Sequence, residues 1–288
     1  METIYALSID DAGGGGEAMV ESCRRTCAFL EERGLRATWF VIPQPGERPL
    51  SEAWKKALQE ARDAGHDLQL HGLTHADCFE FGPPVEPATL IRPAYLEEFA
   101  QRREEFMARY TVEGLRERLE RGLEVFEREL NLRPTVFRAP CGSVSPALFE
   151  ALRQVGIRYE SSQYINMGCY EHLPHRSGRP RQEWTDRWPR RPFRWHSGIV
   201  EVPILGEYTW RGAWQREEEF LALAKADVDR IAQESPVAVL LAHTHGIADN
   251  YDYAFRLFDA LLAHLQAQGR CRFATLGQLA AQGALEAE

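Results

Sequence analysis

Residues 4–9, 37–42 and 67–70 are short apolar runs, and the segments between them, 17–33 and 52–64, place apolar residues at helical spacing. Gly34 and Gly65 follow those two segments as helix stops. Strand, helix, strand, helix, strand is the rhythm of a parallel sheet with crossover helices. It constrains the fold more than composition does, because parallel strands bring all their carboxyl ends to one edge, where such folds carry their chemistry. The rhythm continues. Residues 135–137, 157–159, 199–204, 237–241 and a closing 273–276 read as strands; 146–155, 217–234, 253–268 and 277–285 read as helices. Pro203 cannot donate to a ladder, so the 199–204 strand is expected at an edge. Residues 95–130 are highly charged around an apolar stripe that includes Phe99, Phe106, Leu115, Leu119 and Leu123, and read as one crossover helix with a solvated face. A chain of 288 residues fits one α/β domain, 1–288, with insertions at about 79–112 and 164–198.

What arrives at the strand ends is polar. The first run enters Asp10-Asp11 and then Gly13 to Gly16; the third enters His71-Gly72-Leu73-Thr74-His75. The fourth delivers Arg138-Ala139-Pro140-Cys141-Gly142, and the run 237–241 delivers His243-Thr244-His245. Each has an ordinary explanation taken alone. Asp before glycine is common in turns, a histidine pair can be a solvated loop, and an arginine can sit at a surface. Four at one edge are hard to explain as independent accidents. One carboxylate plus two histidines is a three-ligand set with open positions, as in hydrolytic zinc sites. The second carboxylate suits a base toward water, the arginine favours its charged form, and a further histidine can protonate a leaving nitrogen. The four glycines lack the lysine and spacing of a phosphate loop.

Formal net charge is −9, which argues against a general nucleic-acid binder and against a polybasic membrane contact. No window approaches a spanning helix, and the N-terminal residues show neither a basic nor an apolar leader region, so a soluble cytoplasmic protein is expected. The six cysteines have no regular spacing and are expected as reduced thiols, with Cys23 and Cys27 buried on a helix. The stretch 164–198, with Trp184, Trp188, Phe193 and Trp195, reads either as a surface that stacks on a sugar ring or as a packed lid.

In order and content the polar arrivals resemble the motifs of the polysaccharide deacetylases, the NodB-homology group of carbohydrate esterases. Ser8-Ile9-Asp10-Asp11 resembles the first motif, His71 to His75 the second, Arg138 to Gly142 the third, and Val239 to His243 the last. The resemblance implies an irregular (β/α)7-type barrel and a hydrolase that removes an N-acyl group, usually N-acetyl, from an amino sugar. It implies Asp10 as general base, Arg138 as its orienting partner, His243 as general acid and the Cys141 backbone N–H as an oxyanion donor. Asp11, His71 and His75 would hold a divalent metal, with zinc the leading expectation and Co, Ni, Fe or Mn compatible with the same set. The chain departs from the family at Gly72, where Ser or Thr is usual, and at Cys141, which is often aromatic. It also lacks the Asp-x-x-Asp-Trp element that tunes the acid histidine; Glu160 or Asp249 are candidates to replace it, and His245 is an alternative acid to His243. The implied substrate is an N-acylated sugar intermediate or a small-molecule amide, with no nucleic acid and no integral membrane segment. Two other classes stay open: a different C–N hydrolase, allantoinase-like or deformylating, and a catalytically silent binding protein.

Overall fold

The strand Ile4–Ala12 (β1) lies inside a nine-stranded sheet, third from one end, and is buried along most of its length. A computed structural model describes residues 2–85, 88–165, 188–209 and 213–286. β1 pairs in parallel with Thr38–Val41 (β2) on one side and with Val237–His243 (β9) on the other. Asp67–His71 (β3), Val136–Arg138 (β4) and Tyr159–Glu160 (β5) follow outward beyond β2. Val200–Glu201 (β7) pairs with β5, Phe193–Arg194 (β6) pairs antiparallel with β7, and Ile204–Glu207 (β8) pairs with β9 at the other end. Every pairing except β6 with β7 is parallel, as the strand–helix alternation requires.

The 199–204 run is not one strand. Pro203, with no N–H to give, separates β7 from β8, and this break lets the chain turn from one sheet end to the other. β8 then meets the segment just beyond β5: Ile204 donates to the Gln163 carbonyl at 2.8 Å, and Ile165 donates to the Ile204 carbonyl at 3.0 Å. That contact curls β5-β4-β3-β2-β1-β9-β8 into an irregular (β/α)-type barrel, as expected.

Helices Glu17–Glu31 (α1) and Glu52–Asp63 (α2) are the first two crossovers, and α1 buries Val20, Cys23, Cys27, Phe29 and Leu30. The charged span 95–130 departs from the single helix expected of it. After a short turn, Ala88–Ile91 (α3), it forms Ala94–Gln101 (α4), Arg103–Arg109 (α5) and Val112–Val125 (α6), ending in a wide turn at Phe126–Leu130. Two local causes are visible. The Tyr110 hydroxyl donates to the carbonyls of Phe79 and Gly82, which leaves Tyr110 outside helical geometry. Thr111 then starts a new helix by accepting from Gly114 N–H. The apolar stripe is real, but it packs onto the insertion: Phe79, Phe99 and Phe106 form one aromatic cluster.

Helices Pro146–Gln154 (α7), Glu217–Ile231 (α8), Thr244–Asp249 (α9) and Tyr251–Ala267 (α10) follow. The closing strand at 273–276 reduces to a bridge between Tyr5 and Phe273, because Thr275 is taken as the cap of a last helix, Leu276–Ala281 (α11). In the aromatic stretch, Trp195 stacks on Phe149 and meets Trp188 and Phe193, so these rings pack on one another and on α7; Trp184 lies outside the described residues.

Cys23 and Cys27 are buried on α1 as expected, and Cys271 is exposed. The expectation of reduced thiols fails for Cys78 and Cys141, which form a disulfide. Residues 63 apart in sequence meet because the loops after β3 and β4 lie side by side, a proximity that cysteine spacing cannot reveal. The thiol argument for a reducing compartment falls with it. No described helix is long and apolar enough to cross a membrane.

Candidate functional site

Five strand ends supply the site. β1 brings Asp10 and Asp11, β3 brings His71 and the loop to His75, β4 brings Arg138, β8 brings Glu207, and β9 brings His243 and His245. Successive residues of a regular strand face opposite ways. At the end of β1 the ladder slips between Ile9 and Ala12, and Asp11 adopts φ +66°, which lets two consecutive carboxylates serve one centre.

Asp11, His71 and His75 offer ligand atoms that all lie within 4.8 Å of one another. Asp11 Oδ1 lies 3.4 Å from His71 Nε2 and 3.5 Å from His75 Nε2, and it is buried without a hydrogen-bond partner. A buried carboxylate oxygen facing two imidazole nitrogens, bonded to neither, fits a cation between them. The rest of the cage supports that geometry. His71 Nδ1 lies 3.0 Å from the Arg138 carbonyl, an acceptor, so it carries the ring proton and Nε2 keeps the lone pair. His245 Nδ1 stands 3.3 Å from Asp11 Oδ2, on the side of the carboxylate away from the two ligands.

Beside the cage, Asp10 is buried and receives Arg138 Nη1 on Oδ1 at 2.7 Å; its Oδ2 is 3.9 Å from His71 Nε2. Burying a guanidinium is costly unless its donors are engaged. Here Arg138 also donates to Ser8 Oγ, to the Ser161 carbonyl and to Ser161 Oγ, and it stacks 4.0 Å from the Phe40 ring. Across the β1–β9 ladder Asp10 is in register with His243.

His243 Nδ1 lies 2.7 Å from Glu207 Oε1. Burial alone would lower the His243 pKa, but the Glu207 carboxylate, with Asp11 and Asp10 behind it, raises it to about 9. For Asp11, burial pushes upward, and the facing imidazoles of His245, His71 and His75 outweigh it, leaving the carboxyl well below its usual range. Burial also opposes charge on His71, yet Asp10 and Asp11 raise its pKa; at His75 burial prevails and lowers it.

Neither replacement expected for the missing carboxylate stands at His243. Asp249 is exposed on α9. Glu160 is buried toward Glu201, bonded by Ser162 Oγ, and its burial and that neighbouring carboxylate raise its pKa well above the ordinary value. Glu207 takes the place instead. It sits at the carboxyl end of β8, so the positional rule that holds for the other strand ends also applies to it; the break at Pro203 hides that end in the sequence. Cys141 adopts φ +54° in the turn after β4 and is tied through its sulfur to Cys78. A cleft of about 930 Å³ opens beside the cage, over Gly13 to Gly16, with Arg48, Trp54, His75 and His245 in its lining.

The sequence profile of the polysaccharide deacetylases matches residues 2–160. The chain belongs to that family. Its members remove N- or O-acetyl groups from sugars and generally depend on a metal. No curated protein sequence matches this deacetylase-family chain. Among solved structures, a Mycobacterium smegmatis protein assigned to the polysaccharide deacetylases is 15% identical, with TM-score 0.65 over 98% of this chain and 90% of that one. A family 4 acetyl xylan esterase from Clostridium thermocellum, in complex with a cobalt ion, is 13% identical with TM-score 0.52, covering 99% and 93%. A family 4 pseudoenzyme from Bacillus anthracis is also 13% identical with TM-score 0.52, covering 96% and 65%. At these identities the likeness concerns the fold.

Proposed function

We propose that this deacetylase-family protein is an active metal-dependent hydrolase, a single catalytic domain over residues 1–288, that removes an N-acetyl group from an amino sugar or a sugar-linked intermediate. The observation that carries the reading is the complete set of strand-end groups: a buried Asp10–Arg138 pair and a His243–Glu207 pair on adjacent strands, beside the Asp11, His71 and His75 cage. A silent binding protein has no need of a carboxylate held by arginine and an imidazole held by glutamate on either side of a metal position.

Asp11, His71 and His75 would hold the metal, which, when bound, polarises the acyl carbonyl and makes water a nucleophile near neutral pH. Zinc is the favoured occupant on ligand chemistry. Asp10 takes the proton of the attacking water, and Arg138, 2.7 Å from Asp10 Oδ1, holds the carboxylate in place. The Cys141 backbone N–H is assigned to the oxyanion. His243 gives its Nε2 proton to the departing amine nitrogen, since Glu207 occupies Nδ1. His245, close to Asp11, is assigned to support that carboxylate rather than to the acid role.

The test is acetate release from a panel of N-acetylated amino sugars, free and as phosphate- or nucleotide-linked forms, by protein loaded with Zn²⁺ or Co²⁺. Release from at least one supports the reading. No release from any of them with metal stoichiometrically bound sinks it in favour of a silent binder, while turnover of a cyclic amide or a formamide instead moves the protein to another C–N hydrolase class.

A further inference from the structure

The loop between the two metal-site histidines is wrapped around a carboxylate that neither the metal cage nor the proposed acid–base pairs use. Glu80 is buried, and its side chain accepts from three successive backbone N–H groups. Oε1 receives Thr74 N at 2.9 Å, and Oε2 receives His75 N at 3.1 Å and Leu73 N at 3.3 Å. Thr74 Oγ1 adds a bond to Oε1 at 3.2 Å, and Arg118 stands 3.5 Å from the same oxygen. A chain folding tightly enough to aim three amides at one point needs left-handed residues. The loop has them at Gly72, φ +60°, and at His75, φ +46°.

Gly72 belongs to the same arrangement. A Cβ at this position would come within 2.7 Å of Glu80 Oε2 and 2.6 Å of Pro140 Cγ. A serine or threonine therefore cannot stand here while Glu80 keeps its place. The glycine looks like a lost hydroxyl in the sequence, yet in space it is the room that Glu80 occupies.

We propose that Glu80 is the positioning residue of the metal cage: by holding the amides of Leu73, Thr74 and His75 it fixes the left-handed His75 backbone and so sets His75 Nε2 opposite His71 Nε2 around Asp11. This rests on the reading of Asp11, His71 and His75 as metal ligands. His71 is held separately, by the strand β3 and by the Arg138 carbonyl, so His75 is the ligand whose place depends on the loop. Partners one step behind the ligands commonly carry ten- to a hundredfold of metal affinity. Glu80 would do so through the main chain rather than through an imidazole nitrogen.

The experiment uses the full chain, with Glu80→Gln and Glu80→Ala. Zn²⁺ and Co²⁺ affinities are measured by chelator competition, and the visible absorption of the Co²⁺ protein reports ligand geometry; circular dichroism and melting control for folding. Both variants are expected to lose about ten- to a hundredfold in affinity, with an altered Co²⁺ spectrum and retained far-ultraviolet dichroism. A role in fold stability alone predicts a lower melting point with affinity and spectrum unchanged. Affinities within twofold of wild type with the same Co²⁺ spectrum overturn the proposal. Should either variant fail to fold, amide hydrogen exchange in the wild type decides: Leu73, Thr74 and His75 amides protected like those of β3 support the role, and amides exchanging like an open loop overturn it. A wild type that binds no metal removes the cage reading and this role together, whereas a wild type that binds while Glu80→Gln binds equally well removes only this role.

Discussion

Glu207 Oε1 and His243 Nδ1 approach to 2.7 Å from the ends of two adjacent strands, β8 and β9. The pair fixes the imidazole tautomer and raises its pKa to about 9, so His243 carries the proton an acid needs across neutral pH. A raised pKa has a definite sign in both rate and stability. In the acid role proposed for it, His243 loses its proton as pH rises through about 9, and kcat is expected to fall there. The stabilisation from the pairing is fully present below the unfolded histidine value of about 6.5 and fades through the same alkaline region. In Glu207→Gln the alkaline limb of the rate profile is expected to move toward the ordinary histidine range, with kcat reduced about a hundredfold. A pH–rate profile of both proteins checks this; an unmoved limb would mean that another group, His245 being the nearest, supplies the proton.

Asp10 and Asp11 are neighbours in sequence with different surroundings. Asp10 faces Arg138, whereas Asp11 presents a bare oxygen to two imidazoles. Asp10→Asn is therefore expected to leave metal stoichiometry at wild-type level while acetate release drops about a thousandfold. Asp11→Asn should instead weaken the metal itself. Metal analysis alongside turnover separates the two roles, and equal metal loss in both variants would contradict the division.

The strand ends were legible in the sequence because they obey a local rule: an apolar run stops where a polar cluster begins. Asp10, Asp11, His71, His75, Arg138 and His243 all announce themselves that way, and the parallel sheet brings them together. Glu207 did not, because Pro203 breaks the 199–204 run and the true strand continues past it. Glu80 and the Cys78–Cys141 link depend on how loops after β3 and β4 pack, and contacts between loops leave no period in the sequence. The single helix that the 95–130 pattern predicts gives way to shorter ones for a related reason: Tyr110 leaves helical geometry where its hydroxyl makes a tertiary hydrogen bond, which outweighs local propensity.

The disulfide joins the loop that follows His75 to the residue assigned to the oxyanion, closing a separation of 63 residues. In the chain-entropy view a loop of that size contributes on the order of 4 kcal/mol by restricting the unfolded chain. Cys78→Ser is expected to lower the melting temperature by several degrees, and a dithiol reductant should do the same to the wild type. Peptide mapping without reduction should recover Cys78 and Cys141 in one cross-linked species. Melting unchanged by reductant, with both cysteines alkylated in the native protein, would contradict the link.

A metal held as proposed by Asp11, His71 and His75 would compete with protons for the same imidazoles, and the pKa directions say where. Asp11 lies well below the usual carboxylate range, so it stays ionised through mild acid, and His75 is lowered and sheds its proton early. His71 is raised by Asp10 and Asp11 despite its burial, so of the proposed ligands it holds a proton longest in the metal-free protein. Metal binding must expel that proton. Below the raised His71 pKa the metal dissociation constant is expected to weaken about tenfold per pH unit, the slope for one displaced proton, and to level off above it. The proton-stabilised, metal-free fold should move oppositely, losing the His71 contribution as pH rises through that pKa. Chelator-competition titrations across pH 5 to 9 read the slope directly. A slope of about two would place a second histidine in competition with the metal, and a flat profile would exclude His71 as a ligand.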